Sequence, residues 1–137
     1  MQAHIHNGSF SAAISRPKLK SQSAMEYLYI DGSYQNSGAT GITRFFSTIP
    51  YIGCLDLSSR WWNGTIANVQ IYNTTMDANQ VLVLYQDGIG GAPITIQNLV
   101  GWWPLNGNAN DYSGNNNNGQ ATNVIYTSSW TSGYSQP

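Results

Sequence analysis

The chain alternates short apolar runs with polar breaks about every ten residues. Tyr27, Leu28, Tyr29 and Ile30 form an aromatic and β-branched run that stops at Asp31-Gly32. An Asp-Gly pair tolerates positive φ at both positions and so predicts a tight hairpin, with 33–36 as the returning strand. Residues 42–46 and 51–55 read as further strands. In 65–72, Ile66, Asn68, Gln70 and Tyr72 alternate with Thr65, Ala67, Val69 and Ile71. That period of two predicts a half-buried strand. Residues 94–105 and 124–126 complete the strand set.

One segment changes period. Asp77 is placed to cap a helix, with Gln80 closing a capping box three residues on. Val81, Leu82, Leu84 and Tyr85 give the helix an apolar face, and Gly88 ends it as a left-handed cap. Five to eight short strands with one short helix predict an all-β fold, an antiparallel β-sandwich. Residues 1–24 read as a disordered tail or signal-peptide remnant, 25–130 as the sandwich and 131–137 as a second tail.

Composition narrows the partners. Of 137 residues only 8 % are charged, and the net charge is −1. Nucleic-acid binding through phosphates therefore has no support. No apolar run approaches the ~20 residues of a membrane span. Polarity comes from Asn, Ser, Thr, Gly and Gln, a surface common in extracellular proteins. Cys54 is the only cysteine, which excludes an intrachain disulfide and a cysteine-based zinc site. His4 and His6 form a His-x-His pair in the N-terminal tail, without a cysteine partner.

Two stretches carry a resemblance. LYIDGSYQNSG, YIGC and WWNGTIANVQIYNTTMDANQVLVLYQDGIGG resemble the hairpin, last strand and trailing helix of laminin G-like, concanavalin A-like jelly rolls. GWWPLNGNANDYSGNNNNGQATNV resembles the opening strand and loop of the same fold. Together they cover about 100 residues of the chain, in permuted order: the opening strand follows the closing helix. This order fits a fragment spanning two tandem repeats or a circularly permuted, incomplete sandwich. Both readings leave exposed strand edges, which invite pairing into a homo-oligomer. Separately, KLKSQSAMEYL resembles the processing site of archaeal class III signal peptides, with the cut before Gln22. The long apolar helix that should follow such a site is replaced by the polar hairpin.

The lectin-like resemblance implies carbohydrate binding or cell adhesion at an extracellular or cell-surface location. The runner-up is a structural, pilin-like or repeat-array subunit that self-associates through strand edges. Trp61, Trp62, Trp102 and Trp103 are the candidates for stacking on a sugar ring, with Arg60 and Asn63 to bond its hydroxyls. Neighbouring strand residues face opposite ways, so each Trp pair is expected to send one ring inward and one outward. Related jelly rolls hold calcium in loops like 106–119. Asp111, Asn106, Asn108, Gly114 and Asn116 are the oxygen donors such an ion would take here. Asn7, Asn63 and Asn73 begin glycosylation sequons, which matter if the chain is exported.

Enzymatic activity is not expected. Glu26 is the single glutamate, and the aspartates fall mostly in turns and caps. No paired carboxylates for glycoside hydrolysis, no Ser-His-Asp set and no phosphate loop can be assembled.

Overall fold

The computed structural model describes residues 2–6, 24–40, 50–56, 59–88 and 90–126. Its elements are β1 (Gln2–His6), β2 (Ala24–Ile30), β3 (Ser33–Thr40), β4 (Cys54–Asp56), β5 (Ser59–Trp61), β6 (Ala67–Tyr72), α1 (Ala78–Asp87) and β7 (Leu99–Trp103). Among the described residues strands dominate, as the alternation predicts, with one short helix. All the pairings are antiparallel: a three-stranded sheet in the order β1-β6-β7 and two hairpins, β2-β3 and β4-β5.

Local signals account for several elements. Asp31 and Gly32 both take positive φ, 52° and 71°, as the β2-β3 turn requires. Gly32 also touches the helix: a Cβ there would lie 3.0 Å from the Cβ of Tyr85. Asp77 caps α1, and the Asp77–Gln80 capping box is complete in both directions. Gly88 ends the helix at φ 74° and ψ −162°, so its φ is positive but it is not a left-handed helical cap.

Besides the Gly88 cap and the strand read over 51–55, which is confined to Cys54–Asp56, four expectations change. Gln2–His6, read as part of an irregular tail, pairs with β6 as an edge strand. The strand expected over 94–105 shrinks to β7, because 93–98 turns before entering it. Residues 124–126 join no strand ladder among the described residues, and Ile125 is 91 % exposed. The fourth is β6, read as half-buried: all six of its residues are buried. The predicted strand over 42–46 lies outside the described residues, as do most of the N-terminal segment and 127–137.

β6 divides the core. Val69 and Ile71 on one face pack with Trp103, flanked by Ile66, Val100 and Leu105. Tyr72 on the other face joins Tyr29, Met76, Val81, Leu84 and Leu99. Through Tyr29 the β2-β3 hairpin is tied to the helix and to the central sheet.

Candidate functional site

Two polar constructions and one exposed aromatic pair stand out. The first polar construction lies under β6. Asn68 and Gln70 are among the most buried side chains, although their polarity marks them as a solvent face. Burial is tolerable because each is hydrogen-bonded. The Asn68 amide donates to Gly91 O at 3.0 Å, and the Gln70 amide donates to the same carbonyl at 3.1 Å and to Asn68 Oδ1 at 3.2 Å. Tyr72 donates its hydroxyl to Gln70 Oε1 at 2.6 Å, and the Trp102 indole N–H donates to Asn68 Oδ1 at 2.7 Å. Burial pushes the Tyr72 phenol up to about 12, against a smaller lowering by the backbone N–H of Ile94. Asn68 has φ 52°, and the β1-β6 register slips between His4 and His6, opposite this part of β6. This network fastens the turn after α1 to the sheet.

The second construction is the loop 106–119, organised on Asp111. Its Oδ1 accepts the backbone N–H groups of Trp102 and Ser113, each at 2.9 Å. Its Oδ2 accepts the Ser113 hydroxyl and the Asn117 N–H, each also at 2.9 Å. Partial burial raises the carboxyl pKa, but these four donors outweigh it and hold the group below its ordinary value.

The loop lies along the outer edge of β7. Tyr112 N–H donates to Trp102 O at 2.8 Å. The Asn115 amide donates to Leu99 O at 2.8 Å and to Val100 O at 3.2 Å, and the Asn117 amide donates to Val100 O at 2.8 Å. Backbone groups that another strand would use are thus taken by side chains and by one turn of loop. Pro104, directly after β7, offers no donor to extend that edge.

Of the expected calcium donors, Asp111 and Asn108 already accept hydrogen bonds from the protein. A carboxylate offers about four lone-pair sites, and all four on Asp111 receive protein donors. Asn108 Oδ1 accepts from Asn110 N at 2.8 Å, and its amide donates to the Tyr112 hydroxyl at 3.2 Å. Asn106 lies in the same loop, and Gly114 and Asn116 supply positive-φ turns, 89° and 58°. Among the described residues no three His, Cys, Asp or Glu side chains gather. Thermal unfolding with calcium and with EDTA is expected to give one Tm. A rise of several degrees with calcium would show that the loop reopens around an ion.

The tryptophans do not follow the one-in, one-out expectation. Trp103 is buried on the Val69 side, its indole N–H donating to Asn117 O at 2.9 Å. Trp102 faces the other way but is half-buried, held by Asn68 and set edge-on to Tyr112 at 6.3 Å. Both of these rings are covered because β7 is packed on both faces.

Trp61 and Trp62 are both open, at 57 % and 54 % exposure. Trp61 ends β5 and Trp62 lies beyond it, so strand alternation no longer governs the second ring. The Trp62 N–H donates to Gly53 O at 2.7 Å, which fixes its backbone beside β4. Asn63 next to it is exposed, and so are Tyr51 and Ile52. Arg60 sits in β5, and its side chain lies outside the described residues.

The structure therefore separates the sequence candidates. Trp61, Trp62 and Asn63 are consecutive and all exposed, while Trp102, Trp103 and Asp111 belong to β7 and the loop along it. Sequence reasoning missed Asn68 and Gln70. The available signal was two carboxamides in phase with Tyr72 on a strand flanked by apolar residues. No helix among the described residues is long and apolar enough to cross a membrane. No family model, curated protein or solved structure matches the chain.

Proposed function

We propose that this chain is a non-catalytic, lectin-like module of a secreted or cell-surface protein, binding carbohydrate or mediating adhesion through Trp61 and Trp62. The carrying observation is the pair of adjacent, exposed indoles at the end of the β4-β5 hairpin. Large aromatic surfaces left in water are costly unless a ligand covers them. A pyranose ring presents C–H groups to an indole face and hydroxyls around its rim, which Asn63 and Arg60 are placed in sequence to meet. The scarcity of charge suits a neutral polysaccharide partner. In this reading the β1-β6-β7 sheet is one layer of a permuted, incomplete jelly-roll sandwich, in keeping with the resemblance of its segments to laminin G-like domains.

Affinity electrophoresis through gels cast with neutral polysaccharides tests the reading. The native chain is expected to be retarded by at least one of them. The Trp61→Ala/Trp62→Ala variant should lose at least tenfold in affinity, about 1.4 kcal/mol, with its Tm close to that of the native chain. Retardation that survives the double substitution, or none with any polysaccharide, would dismiss the proposal.

A second reading is a structural subunit that self-associates. It is favoured by the β2-β3 and β4-β5 sheets, each with only two strands and hence unpaired outer edges among the described residues.

A further inference from the structure

We infer that the outer edge of β7 is a latent strand-addition surface for a second copy of this chain, and that the loop 106–119 is the guard that keeps it closed. Two independent observations lead there. First, the loop fills the positions of a neighbouring strand. In an antiparallel ladder alternate residues point their N–H and C=O away from the partner. On β7 Trp102 is such a residue, and its N–H and C=O are taken by Asp111 Oδ1 and Tyr112 N. The Val100 carbonyl is taken by the amides of Asn115 and Asn117. Side-chain amides supply the donors a strand backbone would supply.

Second, the chain carries a strand-forming segment that pairs with nothing described. Val124 and Ile125 are 56 % and 91 % exposed in 124–126, a β-branched and aromatic run. The occupant of an opened β7 edge is this segment from another copy. Reciprocal exchange closes a two-fold dimer, in which each β7 receives the other copy's 124–126. Within one copy the same addition would have to expel the connecting loop while remaining tethered to it. This inference goes beyond the carbohydrate reading and uses none of its residues.

Sedimentation velocity over a hundredfold concentration range tests it, on the full chain. The Asn115→Ala/Asn117→Ala variant is expected to form a dimer at concentrations where the native chain sediments as a smaller species. Adding Ile125→Lys to that variant should return it to the native mass, because a charge is placed in the added strand. A folded double variant at the native mass overturns the inference, as does a dimer indifferent to Ile125→Lys. Should the double variant fail to fold, Asn115→Ala alone releases the Leu99 carbonyl and one of the donors to Val100. That single variant must then dimerise, and its staying at the native mass is equally decisive against the inference.

Discussion

Replacing Asp111 with alanine is expected to lower unfolding stability by about 3 kcal/mol, read as a drop in the urea midpoint. One substitution removes the acceptor for four hydrogen bonds. Bonds to a charged group contribute about 1.5–3 kcal/mol each, and they do not add because they share one carboxylate. The Trp102 N–H then has no partner on its outer side. Asp111→Asn keeps the shape and one oxygen, so roughly half the loss is expected. A midpoint for the alanine variant within error of the native one would show that the loop does not depend on this group.

The same carboxylate sets a pH dependence with a definite sign. Its pKa in the folded chain is depressed below the ordinary 3.8, because four donors outweigh the opposing effect of burial. A depressed carboxyl stabilises the fold fully above the unfolded value, and that contribution disappears as pH falls through the folded value. The stability difference between the native chain and Asp111→Asn is therefore expected to be constant from neutral pH down to about pH 5. Below about pH 4 it should shrink, as the native carboxyl gains its proton. Measuring the difference, rather than the native chain alone, removes the contribution of the other carboxylates. A difference that grows on acidification would contradict the assignment.

Gly101→Ala carries the second large effect. The Trp103 ring lies across Gly101, and a Cβ there would sit 2.1 Å from its Cη2 atom. Real contacts of that kind do not occur, so the ring or the strand must move. Displacing the ring opens its packing on Val69 and Ile71 and breaks the indole bond to Asn117 O. Overpacking of this type costs about 1–3 kcal/mol, and loss of the buried bond brings the expected total to about 3 kcal/mol. Near-ultraviolet circular dichroism should weaken together with the urea midpoint. Gly38→Ala is the control, since nothing lies within 4 Å of its added carbon. Equal behaviour of the two alanine variants would show that the Trp103 ring is not seated on Gly101.

The GWW triplet shows how far a strand pattern reaches. Alternation predicted correctly that Trp102 and Trp103 leave opposite faces of β7. It did not reveal that both faces are covered, one by the Asn68 network and the other by the loop returning from residue 117. The same limit applies to β6. Its period of two was legible, but Asn68 and Gln70 read as a wet face until Gly91 O, 21 residues further on from Gln70, was seen to supply their partner. The Asn-rich loop was legible as a loop. Its use as a substitute strand was not, because Asn offers the same donors to water, to an ion or to a neighbouring carbonyl.

What the sequence determined by itself was local: the Asp31-Gly32 turn, the Asp77–Gln80 cap on α1, and the extended, two-residue alternation of β6. Each depends on backbone preferences or on bonds spanning a few residues, so nearby side chains suffice to specify it. Tertiary structure alone decided which faces are buried, that β1 joins the sheet, that 124–126 remains outside the described ladders, and that Asp111 is enclosed by protein donors. Those outcomes depend on which distant groups compete for the same edge or surface. A single strand's pattern states what it can pair with, and only the assembled fold selects the partner.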